Sequence, residues 1–246
     1  MQESTATEIV LQTRQLTRRF AGVLAVDRVD FTLRRNELRC LVGPNGAGKS
    51  TFFKCVTGQY PPTSGSVTLF GEDIAGMAPH QIARRGVGIK TQVPSLFDGL
   101  TALENVALSA MTKLSAHPAE AAAQRALERV GVADLASKCV GILAHGQRQL
   151  VELAMVTVGE PQLILLDEPA AGMTSRETVR MAESLRELAK SASVIVVEHD
   201  MSFVRRVAHV VTVFHRGAVL REGGIDDVLS DPVVRDVYLG KGKPHA

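Results

Sequence analysis

Residues 43–50, Gly-Pro-Asn-Gly-Ala-Gly-Lys-Ser, constrain the fold of this chain more than any other stretch. They fit the pattern G-x-x-x-x-G-K-[ST], in which a glycine-rich loop joins a strand to a helix. The apolar residues 40–42 before the loop indicate a short buried strand, and residues 51–57 after it indicate the start of a helix. Since glycine has no Cβ, the loop can curl until its backbone N–H groups face phosphate oxygens, and the positive end of the helix adds to this attraction. The context disfavours a chance glycine-rich turn and predicts a P-loop that binds a nucleoside triphosphate.

Two polar side chains at the end of the loop have separate predicted roles. Lys49 supplies a mobile positive charge for the β- and γ-phosphates. Ser50 offers a hydroxyl to Mg²⁺. The loop alone indicates a nucleotide, and residues elsewhere in the chain must indicate what happens to it.

The composition is that of an ordinary globular protein. The 246 residues are 45% hydrophobic and 22% charged, enough to bury a full core in one large domain or two modest ones. The net charge of +2 and the lack of a dense basic stripe argue against nucleic acid as a partner. The first 30 residues lack the apolar region of a signal peptide, and nowhere do 18 apolar residues run together. We therefore expect a soluble cytosolic protein, with Cys40 and Cys55 reduced in its core and any membrane role supplied by a partner.

The order of the apolar patterns predicts an α/β fold with two additions. Residues 8–14 and 23–33 alternate like antiparallel strands ahead of the P-loop. Residues 93–160 are alanine-rich and helical in period, and strand-like apolar runs return after them. The predicted architecture is a single domain with a P-loop NTPase core of mixed sheet flanked by helices, formed by residues 1–92 and 161–246. This core includes the N-terminal antiparallel β part, and residues 93–160 form an inserted helical subdomain.

Two local features of the helices can also be predicted. Ser175 is expected to cap a helix that runs to about residue 190, with Glu177 in its favourable first turn. Residues 119–123, which are mostly alanine, are expected to form a solvated or weakly packed helical segment rather than a functional feature.

Polar residues follow three of the predicted strands at the points where the strands end. They are Gln92, Asp167, Glu168 and His199. In open α/β sheets, ligands bind outside the carboxyl ends of the strands, so we expect these side chains near the P-loop. Asp167 suits a Mg²⁺ partner, Glu168 can polarise a water for attack on the γ-phosphate, and His199 can contact that phosphate. A lone Asp-Glu pair is more often a solvated strand end, but the P-loop and the apolar run before Asp167 favour the functional interpretation.

The motifs and their order resemble the ATP-binding subunit of an ABC transporter. The resemblance covers residues 8–240 and rests on residues 43–51, Gln92, 143–147 (Leu-Ala-His-Gly-Gln), 163–169 and His199. It implies that ATP and Mg²⁺ are bound and that ATP is hydrolysed to ADP and phosphate. The nucleotide-binding residues that it implies are Phe20 as the adenine-stacking ring, Gly43, Pro44, Asn45, Gly46, Ala47, Gly48, Lys49, Ser50 and Thr51 around the phosphates, and Ala144, His145, Gly146 and Gln147 in the signature loop. The implied catalytic residues are Glu168 as general base, His199 as switch histidine, Gln92 and Lys49, and the implied metal ligands are Ser50, Gln92 and Asp167.

The signature loop departs from the family pattern Leu-Ser-Gly-Gly-Gln at two positions. Ala144 lacks the serine hydroxyl, and a hydrogen bond to a charged group is worth roughly 1.5–3 kcal/mol. His145 adds a side chain where the pattern has glycine, and its imidazole can replace part of the lost contact. Thr174 stands where many members have Asp in the D-loop (residues 171–174), and Thr91 replaces the usual Phe before Gln92. We expect weakened but real ATPase activity.

Each motif occurs once, and the resemblance implies that Lys49 and Gly146 complete a site only across two chains. A head-to-tail dimer with a second ABC ATPase subunit, identical or different, is therefore expected. The resemblance also implies transmembrane permease subunits, contacted through residues 92–106, and indirectly a solute-binding protein. The chain is expected at the cytoplasmic face of the cell (inner) membrane, held there by the permease.

The choice of cargo rests on shorter stretches. Those that resemble the branched-chain amino acid uptake subfamily are residues 89–97, 100–106, 198–201, 203–205 and 237–240. Residues 171–174 and 211–215 are similar to the urea-import members of that group. The expected function is therefore the ATP-hydrolysing subunit of an importer for branched-chain amino acids or for urea and short amides.

Three alternatives remain at this point. An exporter subunit is disfavoured only by the subfamily resemblance. A soluble ATPase that remodels nucleic acid or ribosomes would be expected to carry two cassettes or a long charged insertion, and residues 93–160 contain neither. A non-hydrolysing nucleotide sensor would be expected to lose the general base, yet Glu168 and His199 are both present.

Overall fold

The computed structural model describes residues 8–92 and 95–239. The strands are β1 (Ile9–Phe20), β2 (Val23–Arg34), β3 (Leu38–Val42), β4 (Ser64–Leu69), β5 (Glu72–Asp73), β6 (Val87–Lys90), β7 (Leu163–Asp167), β8 (Ser193–Val197), β9 (Val210–His215) and β10 (Ala218–Gly223). The α-helices are α1 (Lys49–Val56), α2 (Pro79–Ala83), α3 (Ala102–Ala110), α4 (Ala116–Arg129), α5 (His145–Thr157), α6 (Ser175–Leu188), α7 (Met201–Val207), α8 (Ile225–Ser230) and α9 (Pro232–Leu239). Two short 3₁₀ helices, Ala133–Leu135 and Val140–Ile142, lie between α4 and α5.

The strands form two sheets. The larger sheet has the order β10-β9-β3-β8-β7-β6, with parallel pairing from β9 to β6 and an antiparallel edge at β10. The second sheet is antiparallel throughout and has the order β2-β1-β4-β5. Because the five parallel strands share one direction, the loops after β3, β6, β7 and β8 emerge at the same edge of the larger sheet.

The central strands of the larger sheet are buried on both faces. In β7, Ile164 and Leu166 join one hydrophobic cluster with the helices α3–α6, while Leu163 and Leu165 join another with α1 and the antiparallel sheet. In β8, Val196 and its neighbour Val197 divide between the two clusters in the same way. Successive strand residues point to opposite faces, so near-continuous apolar runs are what a sheet covered on both sides requires.

Helices α3, α4 and α5 pack on one another and share their apolar core with one face of the larger sheet. The expectation that residues 119–123 are solvated or weakly packed is wrong. Ala119, Ala122 and Ala123 are all buried, because small side chains on one face of α4 let it approach α3 closely. The alanine-rich composition therefore reflects close helix packing.

The cap of α6 also differs from the prediction. Thr174, rather than Ser175, is the N-cap residue, and its hydroxyl accepts a hydrogen bond from the Glu177 backbone N–H at 3.4 Å. Glu177 returns the contact, because its carboxylate accepts from the Thr174 backbone N–H at 2.9 Å. A threonine in the D-loop position expected to hold Asp therefore still caps the helix.

Within residues 8–92 and 95–239, none of the helices is both long and apolar enough to cross a membrane.

Candidate active site

The P-loop lies between β3 and α1 and is supported from behind by two other elements. Gly43 and Gly48 have φ angles of 144° and 103°, and a Cβ at either would clash with a backbone carbonyl oxygen, that of Phe214 or that of Ala25 respectively. The turn between β9 and β10 adds a direct bond, since the Gly217 N–H donates to the Ala47 carbonyl at 2.9 Å. The loop is thus held on β2 and on the β9–β10 hairpin, a support that the loop motif itself does not reveal.

Lys49 points back into the P-loop. Its ammonium group donates to the carbonyl oxygens of Gly43, at 2.6 Å, and Pro44, at 3.0 Å, and the side chain is buried. Burial lowers the pKa of Lys49, while the negative charges of Glu168 and Asp167 act in the opposite direction. Burial therefore disfavours the charged form of the lysine at this position. The oxygens of a phosphate anion are stronger hydrogen-bond acceptors for its ammonium group than the two carbonyl oxygens are.

Asp167 ends β7 and is 4% exposed. Burial, followed by repulsion from Glu168, raises the pKa of Asp167 to about 6, against the opposing charges of nearby lysines. Its Oδ1 atom is buried and has no hydrogen-bond partner among the described residues. An unpaired buried carboxylate oxygen is costly unless a cation or a donor reaches it. The donor set of Asp167 and the Ser50 hydroxyl therefore fits Mg²⁺, a cation that prefers oxygen ligands.

Glu168 and His199 meet at the same edge of the sheet. His199 Nδ1 lies 3.5 Å from Glu168 Oε1, and both side chains are partly exposed. The Glu168 backbone has a φ of 49°, in the left-handed region that costs a side chain about 1 kcal/mol. A hydrogen bond from its N–H to the Val197 carbonyl, 3.0 Å long, holds this conformation. The strained turn directs the carboxylate out of the strand and toward the space beside His199.

Glu198 organises this edge, although sequence reasoning gave it no role. The side chain is 1% exposed, and it accepts hydrogen bonds from the backbone N–H groups of His199 at 2.9 Å, Asp200 at 3.3 Å and Ala170 at 3.3 Å. Burial raises the pKa of Glu198, and the three hydrogen bonds oppose that rise. The alternation of β8 contained part of this signal, because it places residue 198 on the same sheet face as Val196, which packs against the helices α3–α6.

Gln92 follows the edge strand β6, whose partner in the sheet is β7. Lys90 pairs in register with Leu166, so Gln92 and Glu168 each lie two residues beyond a paired position. The Gln92 side chain is exposed at this edge. The structure therefore places Gln92, Asp167, Glu168, His199 and the P-loop along one edge, as the predicted strand ends require.

Phe20 lies at the end of β1 in a small group of aromatic and basic side chains. Its ring is 5.1 Å from that of Tyr60 in an edge-to-face arrangement, and the Arg18 guanidinium lies 4.4 Å from the Phe20 centroid. Lys54, on the P-loop helix, approaches the Tyr60 ring at 5.4 Å. The ring is half-buried and is therefore accessible to a planar ligand beside the P-loop helix. Tyr60 was missed as a member of this group.

The signature loop makes its described contacts within the same chain. His145 Nε2 lies 3.0 Å from the Ala171 carbonyl and 3.3 Å from the side-chain amide of Gln149. If His145 carries its proton on Nε2, the ring N–H donates to the Ala171 carbonyl. With the Gln149 amide flipped, its buried Oε1, which otherwise has no hydrogen-bond partner, also faces this N–H. His145 therefore joins the signature loop to the D-loop, a contact that a glycine at this position cannot make.

Ala144, Gly146 and Gln147 begin helix α5. Ala144 is the N-cap residue and has no side-chain acceptor, but the Gln147 side chain accepts from the Ala144 backbone N–H at 3.1 Å. A Cβ at Gly146 would overlap the carboxylate of Glu177, so this glycine leaves room for that carboxylate in its capping position at Thr174. The described contacts of the loop run to α6 and the D-loop, away from the P-loop of the same chain.

Comparison with known proteins identifies the family. The family model described as "ABC transporter" matches residues 26–171. The high-affinity branched-chain amino acid transport ATP-binding protein BraF of Pseudomonas aeruginosa is 34% identical, over 94% of this chain and 98% of its own length. LivG of Salmonella typhimurium, which carries the same description, is 36% identical with the same coverage. The ADP conformation of MJ1267, an ATP-binding cassette of an ABC transporter, superposes with a TM-score of 0.86 at 26% identity, covering 96% of this chain and all of that one.

The chain belongs to the ABC transporter family. Within that family it is an ATP-binding subunit, and it is an ATPase. The two sheets and their flanking helices confirm the predicted α/β P-loop NTPase fold.

Proposed function

We propose that this chain powers an importer of branched-chain amino acids by hydrolysing ATP at the edge formed by the P-loop, Asp167, Glu168 and His199. The observation that carries the hydrolytic role is the convergence of these groups, with Glu168 and His199 3.5 Å apart beside the buried Lys49. The cargo is supported by BraF and LivG, which are similar over nearly their whole length. The likeness of residues 171–174 to urea importers makes urea the second cargo to test.

In this proposal the phosphates bind the backbone N–H groups of residues 43–51 and the positive end of α1. Lys49 leaves the carbonyls of Gly43 and Pro44 and turns to the β- and γ-phosphates, which are the stronger acceptors. The adenine stacks on the half-buried Phe20 ring at the side of α1. Nucleotide binding thus replaces the contacts of the buried lysine with neutral carbonyl oxygens by contacts with charged phosphate oxygens.

Glu168 acts as the general base in this proposal. Its carboxylate accepts a proton from the attacking water, while His199 contacts the γ-phosphate from the neighbouring strand end. Gln92 approaches the same water from the loop after β6. Glu198 keeps the His199 backbone in place through its buried hydrogen bonds and is a positioning residue.

Ser50, Asp167 and Gln92 would hold Mg²⁺. The ion, when bound, neutralises charge on the β- and γ-phosphates. Asp167 is suited to this task because its buried Oδ1 has no hydrogen-bond partner among the described residues. Burial also disfavours the ionised carboxylate, and a nearby cation would stabilise it.

A second ABC ATPase subunit completes each site in this proposal. The signature loop, residues 144–147, makes its described contacts with its own D-loop and α6, and the N-terminus of α5 is then available to an ATP held by the opposite chain. Two chains arranged head to tail therefore enclose two ATP molecules, and closure is favoured by each γ-phosphate joining a P-loop to the opposite signature. The second chain is either identical or a related cassette.

The membrane partner is proposed to bind beside residues 92–106, on the helical subdomain 93–160. Phe97, Leu108, Met111 and Leu114 are large apolar side chains exposed in this region. Such a group of exposed apolar residues is typical of a protein interface. Transmembrane permease subunits would thus hold the chain at the cytoplasmic face of the membrane, and a solute-binding protein would act through them.

The test is purification of the intact complex from membranes, followed by reconstitution in vesicles with its solute-binding protein. We expect a branched-chain amino acid to stimulate ATP hydrolysis, and stimulation by urea alone would replace the proposed cargo. Copurification with RNA or ribosomes and without a permease would overturn the transporter role. Glu168→Gln is the matched control, since it should bind ATP, trap the closed dimer and fail to turn over.

A further inference from the structure

A buried ion pair joins the strand before Gln92 to the helix that follows the signature loop. Lys90 ends β6, Glu152 lies in the middle of α5, and their Nζ and Oε2 atoms are 3.1 Å apart. The two side chains are only 5% and 6% exposed. Among the described residues, Glu152 Oε2 has no other polar partner, so Lys90 alone balances this oxygen.

The other carboxylate oxygen of Glu152 binds the chain beyond Gln92, at Ser95. Glu152 Oε1 accepts a hydrogen bond from the Ser95 backbone N–H at 2.9 Å. One carboxylate on α5 therefore fixes both Lys90 and Ser95, the residues on either side of the segment that contains Gln92. We call these three residues the Glu152 clamp.

The position of Glu152 on α5 links the clamp to the signature loop. Residue 152 lies two helical turns beyond His145, about 10 Å along a rigid helix. A movement of the signature loop thus carries Glu152 with it. Nearby, a cavity of about 720 Å³ separates β6 from α3 and α4, and Lys90, Glu152, Thr91, Met155 and Ala122 are among the residues that line it.

An ion pair at such a boundary has physical consequences that an apolar contact does not. Its attraction falls slowly with distance and does not require one angle, so it persists while the helices shift relative to the sheet. Loss of one partner leaves a buried charge uncompensated, so neither residue can be removed without disturbing the loop.

We propose that the Glu152 clamp positions Gln92 by coupling the loop after β6, which contains Gln92, to helix α5, so that docking of the signature loop on ATP sets Gln92 for hydrolysis. Lys90 and Glu152 are positioning residues in this scheme and do not touch the nucleotide. The inference rests on the role proposed above for Gln92.

The experiment compares full-length Lys90→Met, Glu152→Gln and Gln92→Ala with the parent in steady-state ATPase assays. Both clamp variants should lower kcat roughly tenfold while the KM for ATP changes less than about twofold, the pattern of an interaction used only in the transition state. Lys90→Arg should restore kcat to within about twofold of the parent, because it keeps the charge. The control is Asp226→Asn, which breaks the exposed ion pair between Arg205 of α7 and Asp226 of α8 and should leave kcat within about twofold.

Several outcomes would overturn the clamp. Parental kcat in Glu152→Gln would do so even if Lys90→Met were slow, because Lys90 also acts electrostatically on Asp167 and Glu152 does not. A kcat loss that vanishes when rates are normalised to the folded fraction would show a merely structural role. If Lys90→Met does not fold, the near-isosteric Glu152→Gln carries the test.

A double variant separates this inference from the role of Gln92. Glu152→Gln in the Gln92→Ala background should cost no further activity if the clamp acts through Gln92, and fully multiplicative losses would contradict it. Parental activity in Gln92→Ala would remove the proposed role of Gln92 and the clamp with it. If Gln92→Ala lowers kcat while the clamp variants keep the parental kcat, the role of Gln92 stands and only the proposed clamp is refuted.

Discussion

Replacing Asp167 by Asn should stabilise the nucleotide-free protein while removing its activity. The pKa of Asp167 rises from 3.8 to about 6, so at neutral pH the fold holds an ionised carboxylate that it disfavours. At 1.36 kcal/mol per pKa unit the cost approaches about 3 kcal/mol, and allowing for solvent at the strand end gives about 1–3 kcal/mol. Asn keeps the shape and removes the charge, so Asp167→Asn recovers much of this free energy.

The effect should depend on pH in a direction that follows from the raised pKa. The folded state of the parent takes up its proton near pH 6 and the unfolded state near pH 3.8, so the folded state binds more protons between these values. The destabilisation is fully present above about pH 6 and is lost as the pH falls through the folded pKa toward 3.8. The advantage of Asp167→Asn should therefore be largest at pH 7.5 and shrink by pH 4.5.

The measurement is urea unfolding of the parent and the variant at several pH values without nucleotide. Asp236→Asn, an exposed substitution of the same kind on α9, is the control for general effects of removing a carboxylate. ATPase activity should fall about 100-fold or more, because the proposed Mg²⁺ ligand is lost and a bound metal ion supplies several kcal/mol of transition-state stabilisation. A variant less stable than the parent at pH 7.5, or a stability difference that does not change with pH, would refute the account of Asp167.

Three further substitutions test the surroundings of the site. Ala144→Ser should add an N-cap hydrogen bond worth about 1 kcal/mol to α5, measured by thermal unfolding, and should raise ATP turnover; equal turnover would mean that the missing hydroxyl is unimportant. Glu198→Ala should cost about 2–4 kcal/mol in urea unfolding, because three backbone N–H groups lose their buried acceptor, and Glu198→Gln should cost clearly less. His145→Ala should speed hydrogen exchange at the amides of residues 171–173, since the D-loop loses its contact at Ala171; unchanged exchange would show that His145 does not anchor the D-loop.

The fold was predictable because local patterns and the tertiary arrangement agree. The apolar runs at residues 163–166 and 194–197 are long enough only for strands, and each ends in polar residues that the parallel sheet places at one edge. The P-loop motif predicts a strand before the loop and a helix after it, which are β3 and α1. The cap at Thr174 was missed because Ser175 is an equally good capping residue, and only the backbone conformation decides between neighbours.

The supporting contacts of the site were less predictable, because they join distant parts of the chain. Nothing near residue 145 indicates that His145 meets Ala171, and nothing near residue 90 indicates that Lys90 meets Glu152. Such pairs depend on how α5 lies against β6 and the D-loop, which local periodicity does not encode. Glu198 is an intermediate case, since strand alternation predicts that it shares a sheet face with Val196 but does not predict the three N–H groups that it satisfies.

The same helix, α5, explains why the departures in the signature loop need not disable the protein. The loop begins α5 with Ala144, which costs a hydroxyl, and with His145, which gains a bond to the D-loop carbonyl at Ala171. Ala171 in turn donates its N–H to the Glu168 carbonyl at 3.3 Å, so His145 is two hydrogen bonds from the backbone of the proposed base. Glu152, farther along α5, reaches the loop of Gln92. A change of position at the start of α5 therefore reaches Glu168 through the D-loop and Gln92 through Glu152. The substituted loop thus lacks the serine hydroxyl but is connected, through two hydrogen bonds on one route and through Glu152 on the other, to the residues that we propose act on the attacking water.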